Sequence, residues 1–386
     1  MTEKINRAFK SSLEKGVFPS AELLVAMGDE VIFHESYGEA RGHTCFDIAS
    51  LTKPVSTATL AMMLFSEGLI KFEDTVYQWL AGARQPVHKQ MTIRELLNHT
   101  SGLPAWRPYF GELPISLVGT EAGKSFLLEN CFSEEIIAQP GEKTIYSDIG
   151  YIILGEIIEQ AGDASLDQLF SQFIARPLNL NDTFFVKTVG APFGETSKQS
   201  RSSTSKQIHN AGKTKVKSDN KDKRRFAPTE DCPWRGRVIR GEVHDQNAYA
   251  LGGVAGHAGL FSTATDLNIF CKKLISCYKG NSTWIPNKVV REFLPEGKKK
   301  FAGERYTFGW TLPSSKSSSS GNHFSANSIG HLGYTGCSMW IDLDRDFRII
   351  LLTNRIHPST MNEKIRLFRP KIHDLIYSEL IKTRLR

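Results

Sequence analysis

FDIASLTKPVSTATLAMMLFSEGLI, residues 46–70, decides the reading of this chain. From Ser50 to Glu67 the apolar residues Leu51, Val55, Ala58, Met62 and Phe65 recur at helical spacing, and Gly68 marks the stop. Pro54 would break a helix interior but is tolerated in the first turn, where its missing N–H has no intrahelical partner. The proline therefore places the helix start near Ser50, at the positive end of the helix dipole. Lys53 follows three residues later, on the same face and one turn above. A hydroxyl beside an ammonium at a helix N-terminus is a candidate activated nucleophile. A lone S-x-x-K reads just as well as an N-cap serine beside a solvated lysine, so the motif needs partners elsewhere.

The flanking sequence predicts an α+β architecture. Residues 1–20 read as an amphipathic helix carrying Ile5, Phe9 and Leu13. SAELLVAMGD and EVIFHESYGEA alternate apolar and polar around Gly28-Asp29, the pattern of a β-hairpin. TIRELLNHTSGLP (92–104) predicts a short helix and a turn, in which His99 and Ser101 are expected to hold the turn. YSDIGYIILGEIIEQAG (146–162) predicts a turn feeding an apolar helix. AYALGGVAGHAGLFSTATDLNIFCKKLIS (248–276) predicts a glycine-rich loop, fixed by His257, then a capped helix from Thr265. SIGHLGYTGCSMWIDLDRDFRIILLTNR (328–355) reads as two strands joined by a polar turn at Asp344-Arg345-Asp346, followed by a terminal amphipathic helix. Strands at both chain ends and helices between them predict one domain with an antiparallel sheet lobe (about 1–50 and 300–386) and an inserted, mainly helical lobe (about 51–300). The cleft between them is the expected site.

With 386 residues, 40% hydrophobic and 10% aromatic, the chain can bury a large core. No run approaches the roughly 18 apolar residues of a membrane span, and the N-terminus lacks a signal-peptide apolar region, so a cytoplasmic location is expected. The six cysteines form no C-x-x-C pair and no Cys/His cluster has zinc spacing. Buried reduced thiols, no metal and no cofactor are the expectation. Much of the net charge of +7 is local: between Lys198 and Arg225 ten Lys/Arg face two Asp, with almost no apolar residues. That composition predicts a disordered basic insert at 198–225. No aromatic residues are interleaved for base stacking, so no specific nucleic-acid partner is expected. A smaller polar loop is expected at 313–328.

Three segments converge with the opening stretch: Ser50-Leu51-Thr52-Lys53, Tyr146-Ser147-Asp148 before a helix, and His331-Leu332-Gly333 on a late strand. Together with MTIRELLNHTSGLP and GGVAGHAGLFSTATDL, in that order along nearly the whole chain, they resemble the serine β-lactamase and penicillin-binding superfamily. Within it the chain is similar to the class C branch, which includes D-alanyl-D-alanine carboxypeptidases and esterases. GEVHDQNAYALGGVAGHAGLFS further resembles a subgroup that often accompanies peptidoglycan-recycling genes. The resemblance implies a β-lactamase/transpeptidase-like fold. It makes Ser50 the nucleophile of an acyl-enzyme, Lys53 the charge beside it, and Tyr146 the proton carrier as phenolate or hydrogen-bond relay. It builds the oxyanion hole from the backbone N–H groups of Ser50 and Tyr334. Asp148, His331 and Gly333 are the implied substrate-binding residues. The implied partner is a small-molecule or peptide substrate, a peptidoglycan-related peptide, an ester or a β-lactam.

Two positions depart from the β-lactamase pattern. Asp148 replaces the Asn of Y-x-N and, when ionised, only accepts hydrogen bonds, so pairing with Lys53 is expected. His331 replaces the Lys of K-T-G. Both changes predict weak β-lactam recognition. His244, Asp245 and Asn247 either line the cleft or support it. Two other functions fit the residues: a penicillin-recognising sensor that acylates without turnover, and a binding protein that uses the basic insert. The sequence leaves the natural substrate and the oligomeric state open.

Overall fold

The computed structural model describes residues 2–188, 226–294, 306–314 and 318–385. The basic segment 198–225 lies outside the described residues. Seven antiparallel strands form the main sheet, in the spatial order Glu30–Gly38, Ser20–Met27, Phe347–Thr353, Ser338–Asp342, Ser328–Leu332, Trp310–Thr311, Tyr306–Thr307. The expected hairpin at Gly28-Asp29 pairs Ser20 with Gly38 and Met27 with Glu30, with an irregularity between Val25 and Ala26. Ser20–Met27 also pairs with Phe347–Thr353, Ala21 opposite Thr353, which brings the two ends of the chain into one sheet.

Both faces of this sheet are covered, which explains why Phe347–Thr353 is buried throughout and carries the unbroken apolar run Ile349–Leu352. Side chains alternate between faces along each strand. Leu23, Val25, Ile349 and Leu351 pack beneath the terminal helices Thr2–Glu14 and Ile365–Ile376. There Phe9 stacks on Tyr37 at 4.2 Å and meets Phe368 edge-on at 5.3 Å. Leu24, Ala26, Ile350 and Leu352 face the larger core, where helix Ala264–Tyr278 crosses the sheet. This is the α+β arrangement, an antiparallel sheet flanked by helices, that the sequence predicts.

Residues 328–355 form three strands, where the sequence reading counted two. Gly333–Gly336 makes a tight reversal, with the N–H of Gly336 donating to Gly333 O (2.9 Å) and that of Gly333 to Cys337 O (2.8 Å). Leu332 thus pairs with Ser338. The helix expected from Thr265 starts at Ala264, because Thr263 accepts the Asp266 N–H as its cap. A short helix, Gln246–Ala250, capped by Asp245, precedes the glycine-rich loop and was not foreseen. All six cysteines are buried, and no disulfide joins any two of them. Within the polar loop at 313–328, Ser318 and Ser320 are buried and share a 2.7 Å hydrogen bond. Among the described residues no helix is long and apolar enough to cross a membrane.

Candidate active site

Ser50 lies in the single tight turn Ala49–Leu51, which runs directly into the helical residues 53–66. Ala49 has φ 48°, a left-handed conformation that a non-glycine residue adopts only when its surroundings hold it there. Two contacts do so. The Asp47 carboxylate accepts the Ala49 N–H (2.8 Å), and the Ala49 carbonyl accepts the Thr52 hydroxyl (2.6 Å). Beyond Ser50, residues Lys53–Ala58 form a widened turn with Pro54 at its start. The expected position of the proline is correct, and its missing N–H gives the turn a reason to widen.

Lys53 is fully buried, and its Nζ donates to Ser50 Oγ (3.0 Å), Asp148 Oδ1 (2.6 Å) and the His257 carbonyl (3.1 Å). The expected Lys53–Asp148 pair is therefore present. The third contact depends on the glycine-rich loop. Gly256 approaches helix Asp148–Gly162 so closely that a Cβ there would stand 2.1 Å from the Tyr151 carbonyl. Its own carbonyl accepts the Thr57 hydroxyl (2.6 Å). Packing at Gly256 thus presents the next carbonyl, that of His257, to Lys53. The His257 ring is fixed in turn by Asp245 Oδ1 at 2.8 Å. Burial pushes the Asp245 carboxyl up, but the neighbouring His257 and its hydrogen bond win, leaving it below the usual carboxylate range.

Tyr146 precedes the capped start of helix Asp148–Gly162, where Ser147 Oγ accepts the Gly150 N–H (3.0 Å) and donates to the Pro104 carbonyl (2.7 Å). The Ser50 hydroxyl lies near enough to act on the Tyr146 phenol, and both residues line the same cleft. Burial first, and the Asp148 carboxylate second, raise its pKa well above that of an ordinary phenol, against the smaller lowering effect of Ser50. The Lys53 ammonium stands 4.8 Å from the ring centroid. His99 does more than hold a turn. Its Nδ1 accepts the Ser147 N–H (3.0 Å), and its ring packs 4.5 Å from that of Tyr146.

His331 is buried 5.9 Å from the Tyr146 ring, and burial, with Lys53 adding to it, pushes its pKa down to about 3. It is a neutral imidazole at neutral pH, where a lysine would be charged. Gly333 is needed for close approach: a Cβ there would stand 2.5 Å from the Ile48 carbonyl. The strand end therefore lies against the segment leading to Ser50, and Tyr334 follows directly. The Tyr334 carbonyl accepts from Arg355 Nε (2.9 Å), the Arg355 guanidinium lies 4.6 Å from its ring, and His244 stacks at 5.8 Å. Ser50, Tyr146, Asp148, His331, Gly333 and Tyr334 all line one cleft of about 890 Å³.

The open alternatives separate here. His244 and Asp245 line the cleft. Asn247 supports it, accepting the Phe110 N–H (3.1 Å) and donating to the Arg107 carbonyl (2.8 Å). Sequence reasoning missed Asp47, Ala49, Arg355 and Glu230, the last of which lies 3.1 Å from His244 Nε2. The available signal for Asp47 was a lone carboxylate inside the small apolar run FDIAS. Ser101 is buried and its Oγ accepts the Leu103 N–H (3.4 Å), inside the turn it was expected to hold. Among the described residues no group of His, Cys, Asp and Glu side chains comes together to hold a metal ion.

Comparisons with known proteins bear on the family and the fold. The family model described as Beta-lactamase matches residues 5–369. A Salmonella typhi protein named "Putative D-alanyl-D-alanine carboxypeptidase" is 28% identical over 373 residues, covering 90% of this chain and 81% of that protein. Among solved structures, EstCE1, described as a hydrolase with promiscuous acyltransferase activity, superposes with a TM-score of 0.67 at 18% identity, over 96% of this chain and 98% of that one. A class C beta-lactamase gives a TM-score of 0.68 at 13% identity, over 98% and 96%. These two structures share the fold. The fold is like that of the class C enzyme, and with the family model spanning nearly the whole chain, the protein belongs to the β-lactamase family and is a serine hydrolase.

Proposed function

We propose that the protein cleaves a small ester or amide through an acyl-enzyme on Ser50, in the manner of an esterase or carboxypeptidase. The observation that carries this reading is the position of Ser50, whose Oγ receives a hydrogen bond from buried Lys53 (3.0 Å) in a cleft that Tyr146 also lines. Ser50 attacks the carbonyl carbon, and the oxygen that becomes negative is met by the N–H groups of Ser50 and Tyr334. The Ser50 proton passes to the Tyr146 oxygen as the Tyr146 proton passes to the leaving oxygen or nitrogen. A neutral tyrosine suffices for this relay, and its raised pKa favours the relay over a free phenolate. Lys53, held by Asp148 and the His257 carbonyl, keeps positive charge beside the reacting oxygen. Water then repeats the sequence in reverse and releases the acid.

Substrate preference follows from Asp148 and His331. An acceptor-only carboxylate already engaged by Lys53 cannot donate to the side-chain amide of a β-lactam. A neutral imidazole offers no charge to its carboxylate. Simple esters need neither contact, whereas a D-Ala-D-Ala peptide carries its own terminal carboxylate and stands as a candidate on the similarity to the Salmonella typhi protein. The test is intact-mass detection of labelling by a fluorophosphonate, with a panel of p-nitrophenyl esters, a chromogenic cephalosporin and a D-Ala-D-Ala peptide. One label per chain, lost in Ser50→Ala with the fold retained, is expected. A label that persists at one site in that variant assigns the nucleophile elsewhere.

A further inference from the structure

Asp47 is 2% exposed, and its side chain spends both oxygens on main-chain groups. Oδ1 accepts the Ala49 N–H at 2.8 Å and Oδ2 the His244 N–H at 2.7 Å. Its own carbonyl accepts the Thr335 hydroxyl at 2.7 Å. Three separate stretches of the cleft wall, the turn carrying Ser50, the loop carrying His244 and Asp245, and the reversal carrying Tyr334, are therefore tied to this one residue.

We propose that Asp47 is a positioning residue for the reaction, setting the direction of the Ser50 hydroxyl and the spacing of the two N–H groups that meet the substrate oxygen. The proposal rests on Ser50 being the nucleophile. Ala49 is held at φ 48° immediately before Ser50, so the peptide that Asp47 grips is the one that aims the nucleophile. Left alone, an alanine relaxes from this region towards negative φ. Relaxation would swing the Ser50 N–H and Oγ together. The Thr335 contact sets the other half of the hole, because Thr335 is the residue after Tyr334. Asp47 touches no reacting atom; it acts through Ala49 and Thr335.

Asp47→Asn is close to isosteric but leaves one of the two N–H groups facing an amide NH2 in place of an acceptor. Small displacements at a reacting centre cost rate far more than binding. For a p-nitrophenyl ester the expected result is a fall in kcat of about tenfold or more with KM within about twofold, and an equal slowing of fluorophosphonate labelling. Adding Ala49→Gly, which accepts positive φ without strain, is expected to recover about threefold or more of the loss. A purely structural role for Asp47 predicts a lower melting temperature but no such rescue. Wild-type kcat in Asp47→Asn, or a loss that Ala49→Gly leaves untouched, overturns the proposal. If Asp47→Asn does not fold, Thr335→Val decides, with the same fall in kcat at unchanged KM expected and unchanged kcat overturning it. Peptide mapping of the wild-type label separates the two levels. A label on Ser50 with unaffected variants rejects the positioning role alone, whereas a label on another residue rejects the nucleophile and with it this role.

Discussion

Tyr146 stands between two demands. In the proposed reaction it takes a proton from Ser50, yet burial and the Asp148 carboxylate hold its own proton in place. Simultaneous donation to the leaving group resolves the conflict, and Tyr146→Phe removes the relay while keeping the ring. A loss of kcat of about a hundredfold or more is expected in steady-state ester hydrolysis, within the usual range for a general acid–base group. Unchanged kcat would transfer proton transfer to another residue, with Lys53 the first candidate. The substrate-facing substitutions make a second prediction. Asp148→Asn with His331→Lys should raise cephalosporin turnover relative to p-nitrophenyl esters, measured as a ratio of kcat/KM values. Efficient cephalosporin hydrolysis by the unmodified protein, with no gain in the double variant, would sink the ester-first reading. At this scale Ser50, Lys53 and Tyr146 were legible as candidates because the chemistry proposed for them depends on residue type and spacing. Asp47 was not, because its importance comes from which backbone N–H groups surround it, and no spacing rule reveals those.

Ser147 is the element-scale counterpart. It caps helix Asp148–Gly162 and, through its bond to Pro104, ties that helix to the preceding loop. Ser147→Ala removes the cap and leaves a buried N–H and a buried carbonyl without their partner. A cost of about 1–2 kcal/mol is expected from urea unfolding. Because Tyr146 and Asp148 flank the cap, kcat should fall with stability; an unchanged midpoint would show that the helix start is held by other contacts. Most elements were legible from periodicity and caps: the hairpin, the helices after Thr92 and Ser147, and the terminal helices. The reversal at Gly333–Gly336 was misread as strand because its chemistry is carried by two glycines within an otherwise strand-like run. The short helix Gln246–Ala250 escaped because five residues hold too little periodicity to distinguish it from loop.

Across the molecule, among the described residues, burial holds four histidines, His88, His99, His331 and His373, towards the neutral form. Burial, with nearby positive charge adding to it, lowers the pKa of His99 well below normal and pushes those of His331 and His373 down to about 3. The unfolded chain binds their protons near pH 6.5, so it gains protons the folded chain refuses. Stability should therefore fall as pH drops from about 6.5 towards 3. His373 lies outside the proposed catalytic groups. Its ring lies by the Ser319 and Ser320 carbonyls but meets neither in bonding geometry. His373→Leu should flatten the loss of urea midpoint between pH 6.5 and 5, a window above most carboxylate titrations. An identical slope in the variant would remove His373 from the acid response. The sequence by itself determined the fold class, the order of most elements and the choice of Ser50, Lys53 and Tyr146 as candidates, three groups that the structure brings together. Those properties follow from local periodicity, capping and motif spacing, which act over a few residues. Only the tertiary structure decided that a His257 carbonyl meets Lys53, that Gly333 rests on Ile48, and that Asp47 joins three walls of one cleft. Such contacts link residues far apart in the chain, and their geometry is set by how the sheet and helices pack, which no local pattern encodes.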